Sequence, residues 1–178
     1  NNTFPDNNIC IQLGDALSPP SPSKIVVLKN GMIGNTFDGT GNLLGGTGSP
    51  SAGIQIQNIY PVTIGSTGNS NLFTPNLFKG FVKSSPDSKG AGIYVLYSSV
   101  NIQRCRFEDI GDVAIEMSGY GIRFVGSGSQ TLSIKGLGQN NFAQATFDNV
   151  CSPIVLEAAS ITASDIYSTT SREAIRFV

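Results

Sequence analysis

The sequence predicts an all-β protein, a single-stranded parallel β-helix solenoid with coils of about 20 residues. Three observations carry this expectation. No stretch keeps apolar residues at i, i+3, i+4 and i+7 for three turns, so helical periodicity is missing. Short β-branched segments recur between clusters of Gly, Ser, Asn, Thr and Pro. The segments also resemble one another: A-G-I-Q-I-Q, A-G-I-Y-V-L, V-A-I-E-M, S-P-I-V-L-E and E-A-I-R-F-V each set a small residue or Pro before an Ile.

A core is affordable. Ile, Leu, Val and Phe supply 50 of the 178 residues, well above the level at which chains stay disordered. Residues 1–24 read as an N-terminal cap or connecting segment, a first strand followed by the stiff S-P-P-S-P-S run. Residues 25–178 read as the parallel β-helix. Its strands are expected at 25–28, 53–57, 92–97, 100–103, 113–117, 121–125, 131–135, 153–157 and 173–178. The Gly-dense stretch 36–51 and the Pro-bearing stretch 73–89 are expected as loops leaving the wall.

The coil length comes from two ladders. Ile33, Ile54, Phe73, Ile93, Ile115, Ile134, Ile154 and Ile175 lie 21, 19, 20, 22, 19, 20 and 21 residues apart. Leu43, Val62, Val82, Ile102, Ile122, Phe142 and Ile161 keep a similar step. Leucine-rich repeats share such a period, but their L-x-x-L-x-L pattern is missing. Propeller blades need about 40 residues and a Trp-bearing signature, and this chain has no Trp. In a stacked coil, Ile54 and Ile56 point inward and Gln55 and Gln57 outward, and each coil buries its apolar face only against the next.

At this point I-V-V-L-K-N-G-M-I at 25–33, with A-G-I-Q-I-Q-N, A-G-I-Y-V and V-N-I-Q-R-C-R-F-E-D-I-G-D-V-A-I-E-M, resembles the right-handed parallel β-helix, pectin-lyase-like superfamily. That superfamily includes pectate lyases, polygalacturonases and phage tailspikes. The resemblance covers roughly residues 25–178 and implies the fold and, as a substrate class, acidic or capsular polysaccharide.

Composition excludes several chemistries. The chain has no His, which removes Ser-His-Asp and Cys-His catalysis, His-bearing zinc sites and histidine pH switching. A net charge of -1 without a basic stripe argues against nucleic acid. No apolar run approaches a membrane span. Cys10, Cys105 and Cys151 form no C-x-x-C and read as buried thiols. No metal site and no cofactor are expected; the Gly-rich run at 39–46 lacks both the third Gly of a dinucleotide loop and a following helix.

Residues one step after each first-ladder marker should form an outward stripe: Gly34, Gln55, Thr74, Tyr94, Glu116, Lys135, Val155 and Arg176. Within it, Tyr94, Glu116, Lys135 and Arg176 are the ligand-binding candidates, an aromatic face to stack on a sugar and charged groups to bind its hydroxyls or carboxylates. The competing reading is a solvated wall. For hydrolysis or elimination the candidates are Glu116, Asp109 and Asp112 with Arg123, alongside Glu108, Arg104 and Arg106. The competing reading makes Asp109 and Asp112 turn residues bonded to their own backbone. Polygalacturonase-like signatures are missing, and no Asp set marks a Ca²⁺ site. Ile-Arg-Phe-Val occurs twice, at 122–125 and 175–178, 53 residues apart, which suggests different faces of the coil.

The C-terminal strand stops at Val178, so the solenoid is expected to continue beyond the chain or to be capped by a partner, with a homo-oligomer, a trimer included, among the arrangements. The functional expectation is a structural or adhesive module of a virion spike, fibre or surface protein, extracellular or virion-borne, contacting polysaccharide. Its alternatives are a polysaccharide lyase or hydrolase fragment and a purely architectural module.

Overall fold

The computed structural model describes residues 3–4, 9–14, 27–28, 34–40, 52–59, 61–65, 75–83, 89–135, 145–164 and 166–178. Seventeen strands run through them in chain order: β1 Thr3–Phe4, β2 Ile9–Gly14, β3 Val27–Leu28, β4 Thr36–Asp38, β5 Ala52–Gln57, β6 Val62–Ile64, β7 Asn76–Lys79, β8 Ala91–Leu96 and β9 Val100–Gln103; then β10 Cys105–Ile110, β11 Tyr120–Val125, β12 Thr131–Lys135, β13 Ala145–Val150, β14 Ser152–Glu157, β15 Ser160–Ser164, β16 Ile166–Thr169 and β17 Ile175–Phe177. Among the described residues there is no helix.

Every third strand belongs to the same sheet. The first sheet is β1-β4-β7-β10-β13-β16, the second β2-β5-β8-β11-β14-β17, and the third β3-β6-β9-β12-β15. All pairings are parallel. The protein is thus all-β, with stacked parallel strands in three parallel sheets, an arrangement compatible with a parallel β-helix.

The core lies between the sheets, and its layers follow from alternation. Ile54, Ile93, Ile122 and Ile154 of the second sheet stand in register, as do Val62, Val100 and Leu132 of the third. All belong to one continuous buried cluster. The first sheet adds a column of rings: Phe37, Phe78, Phe107 and Phe147 are in register and fully buried. Their centroids lie 4.6, 5.1 and 4.7 Å apart and the rings are nearly parallel. Parallel in-register strands impose this spacing, because neighbouring strands lie about 4.8 Å apart. The opposite wall makes room for the rings with glycine. A Cβ on Gly92 would sit 3.0 Å from the Phe78 Cβ and 3.0 Å from the Gly121 carbonyl oxygen.

The bends repeat too. Lys79, Glu108, Asp148 and Thr169 are in register, and each is followed by a residue with positive φ: Gly80, Asp109, Asn149 and Thr170. Asn35 and Asn76 form a buried pair before β4 and β7, with the Asn35 backbone N–H and Nδ2 donating to Asn76 Oδ1 at 3.2 and 3.3 Å. Cys105 is the next residue in that column.

Several sequence expectations need correction. The turn of the chain is longer than 20 residues. Ile11, Ile54, Ile93, Ile122, Ile154 and Ile175 are successive partners, separated by 43, 39, 29, 32 and 21 residues. Only the last step matches the expected coil. The physical reason is that each turn offers an inward apolar residue on three sheets, so a ladder with slack steps from sheet to sheet. Ile134 lies in the third sheet, and Ile115 is 58% exposed in a bend. Accordingly, residues 113–117 are not a strand. Asp112 closes a turn there, its Oδ1 accepting the Ala114 N–H at 2.8 Å. Strands β4 and β7 lie inside the two stretches expected as loops. The expected first strand appears as β2, which pairs with β5 in the second sheet.

Candidate functional site

The outer surface of the second sheet gathers the largest share of the candidates. Gln55, Tyr94, Arg123, Val155 and Arg176 form one in-register row. Four of these belong to the expected stripe, and Arg123 joins them. The two Ile-Arg-Phe-Val segments therefore share a face, two rungs apart, and not different faces of the coil. Their spacing of 53 residues is the sum of two unequal turns.

Three expected stripe members lie elsewhere. Glu116 sits in the bend before β11, Lys135 ends β12 in the third sheet, and Gly34 lies before β4 of the first. The Lys135 side chain and Thr74 fall outside the described residues, as do Ile33, Phe73 and the Gly-rich run beyond residue 40. Glu116 nevertheless reaches the row. Arg176 Nη1 donates to its Oε1 at 2.5 Å and lies 3.6 Å from Glu173 Oε1. The hydrogen bond from Arg176 holds the Glu116 carboxyl below its ordinary range, and Glu116 in turn raises Arg176. Glu173 also accepts from the buried Ser152 hydroxyl at 3.0 Å.

Arg123 is engaged as well. Its Nε and Nη2 lie 3.0 and 2.9 Å from Glu157 Oε1, and its guanidinium stands 5.3 Å from the Tyr120 ring centroid. Lys89 lies 5.2 Å from the centre of the Tyr94 ring. Tyr94 is only 7% exposed, and burial raises its phenol above the ordinary range. Tyr94 and Tyr120 pack with Ala52, Ala91 and Val155 into a second, smaller apolar cluster, against which Leu96, Met117 and Val125 lean. The second sheet is thus buried on both faces along much of its length.

The remaining acids have structural partners. Asp109 Oδ1 accepts from Asn149 Nδ2 at 2.9 Å across the bend column. The Asp112 backbone N–H donates to Ser118 Oγ at 2.6 Å, and that hydroxyl donates back to the Asp112 carbonyl at 2.9 Å. On the first sheet Lys79 pairs with Asp38 at 2.9 Å, Arg106 pairs with Glu108, and Thr169 donates to Asp148 at 2.6 Å. Arg104 is buried at the bend between β9 and β10, with φ of 51°. Cys105 and Cys151 are buried free thiols, and burial pushes the Cys105 thiol up to about 12. Among the described residues no group of three or more Cys, Asp or Glu is placed to hold a metal ion.

Sequence reasoning did not single out Tyr120, Ser152, Glu157 or Glu173. Tyr120 had a signal: Y-G-I at 120–122 occupies the register of A-G-I at 52–54 and 91–93. Glu157 follows four residues after Pro153 in the S-P-I-V-L-E fragment, where only the turn length of the solenoid reveals what it faces.

Comparison with protein-family models, curated proteins and solved structures found no match.

Proposed function

We propose that this chain is a right-handed parallel β-helix of the pectin-lyase-like kind, serving as a structural or adhesive module of a spike, fibre or surface protein that contacts polysaccharide outside the cell. The observation that carries the reading is the unbroken three-sheet cycle of seventeen strands, which yields a stiff wall of ordered side-chain rows. Along the row Gln55, Tyr94, Arg123, Arg176, the partly exposed Arg123 and Arg176, with Glu116 and Glu157, are the polar groups such a contact uses, while Gln55 and Tyr94 are buried beneath them.

Association with further copies, threefold assembly included, belongs to the same reading. Ile115, Ile175 and Phe177 are exposed apolar residues that such association would cover. Light scattering on the purified chain tests this: a monodisperse monomer removes the association.

A second reading, a purely architectural wall, is favoured by the structural duties of Asp109 and Asp112. The deciding experiment is binding and turnover on a panel of acidic and neutral polysaccharides, reading new reducing ends and the ultraviolet absorbance of unsaturated uronates. Retention without product supports the adhesive module. Product formation converts the reading to a lyase or hydrolase, and Glu116→Gln then tests whether Glu116 takes part. Neither retention nor product from the folded chain leaves the architectural wall.

A further inference from the structure

The corner that follows the second sheet asks for left-handed backbone, and at one rung it carries an aromatic ring. Asn58, Tyr97 and Ala158 follow β5, β8 and β14 at equivalent positions, with φ of 48, 50 and 48°. Asn accepts that conformation readily, whereas a bulky aromatic residue is a genuine outlier there. Burial does not repay the cost, since Tyr97 is 44% exposed. Neither the turn nor the core calls for a ring, and strained residues of this kind gather at binding sites.

The surroundings leave the ring bare and set polar groups near it. Gly126 holds the equivalent position on the next rung, where a Cβ would stand 2.5 Å from the Ala158 carbonyl oxygen. Past it lies exposed Ala158, with only a methyl to offer. On the outer surface of the same sheet, Arg123 and Glu157 form their partly exposed pair at 2.9 Å. The Tyr94 phenol lies within electrostatic reach of Arg123, Glu157 and Tyr97 alike. An open aromatic face near a donor and an acceptor suits a sugar chain, which offers C–H faces to the one and hydroxyls to the others. A protein contact would want a wider apolar patch than one ring among Asn, Gly and Ala.

We infer that Tyr97 is the stacking platform of a sugar-binding subsite at the corner after the second sheet. A pyranose unit lays its C–H face on the Tyr97 ring. Arg123 and Glu157 belong to the following rungs, each about 4.8 Å further on, and meet hydroxyls of neighbouring units of the same polymer rather than of that sugar. The inference rests on the polysaccharide-contacting reading and deepens it by naming the residue that holds the polymer.

The test takes the polymer best retained from the polysaccharide panel and titrates its oligosaccharides into the whole chain by calorimetry. Tyr97→Asn should weaken binding about tenfold, and Tyr97→Phe should stay within about twofold of wild type. Tyr97→Asn should also unfold at the wild-type temperature or higher, because Asn suits the left-handed corner. Thr162→Ala, on the third sheet, should bind as wild type does. Weaker binding together with a lower unfolding temperature in Tyr97→Asn makes the ring structural and overturns the inference. Binding that Tyr97→Asn leaves unchanged overturns the site and leaves the polysaccharide reading standing; a changed mass in light scattering would then assign the ring to contact between copies. No retention of any polysaccharide overturns both readings.

Discussion

Removing the ring of Phe107 is the sharpest perturbation of this wall. Phe107 is fully buried and stacked on both sides, 5.1 Å from Phe78 and 4.7 Å from Phe147. Phe→Ala in a close-packed core costs about 3–5 kcal/mol, the lost transfer energy plus the cavity left behind. Each ring pair adds about 0.5–1.5 kcal/mol of specific coupling. Urea denaturation of wild type, Phe78→Ala, Phe107→Ala and the double variant should therefore show a coupling in that range. The same cycle for Phe37 and Phe147, which are not adjacent and share no ring partner, should close to within about 0.5 kcal/mol of zero. Equal couplings for the two cycles, or a cost below about 1 kcal/mol for Phe107→Ala, would refute the stacking register on which the three-sheet description depends.

Other outcomes follow from the same geometry. Gly92→Ala should destabilise by about 1–3 kcal/mol in the same urea assay, since its Cβ would press on the Phe78 side chain and the Gly121 carbonyl. Cys105 and Cys151 should resist iodoacetamide at pH 8 in the native chain and react in urea, read by peptide mass spectrometry; fast native labelling at Cys105 would contradict its burial. Acid should weaken the fold through Asp38 and Glu116. Burial opposes the Asp38 charge, but hydrogen bonds from Thr40 and Lys79 prevail and lower its pKa, and Arg176 lowers that of Glu116. Their stabilisation is present above the ordinary values of 3.8 and 4.5 and is lost as pH falls through the lower folded values. Asp38→Asn with Glu116→Gln should flatten the acid limb of unfolding midpoint against pH, and an unchanged limb would dismiss these two groups as its source.

The second sheet was the most legible part of the sequence. Its strands carry the small-residue–Ile signature, and β5, β8, β11 and β14 lie within a residue or two of their expected positions. The third sheet was partly visible, through 100–103 and 131–135. The first sheet was hidden. Strands β4 and β7 are three and four residues long and sit among Gly and Pro, so local composition reads as loop. Only pairing makes strands of them, β4 with β7 and β7 with β10, and that pairing is non-local. V-A-I-E-M misled in the opposite direction. Its alternation suits a strand, but the Ser118–Asp112 exchange of hydrogen bonds closes it into a bend. The candidate site was legible as an outward row containing Tyr94 and Arg176, but which acid would meet Arg176 was not, because Glu116 reaches it from 60 residues away.

The unequal turns have a consequence for how such a molecule can change. Between successive partners the chain uses anything from 21 to 43 residues, yet ladder pairing is kept at every rung. Most of the difference lies in sequence between the paired strands, not in the ladders themselves. Inserted peptide at a corner alters what decorates the wall without shifting a single stacked side chain, and excising a whole circuit, such as 93–121, brings Gly92 onto Ile122 in the same phase. Decoration and scaffold can therefore diverge independently, and a corner is the natural place to graft a foreign epitope.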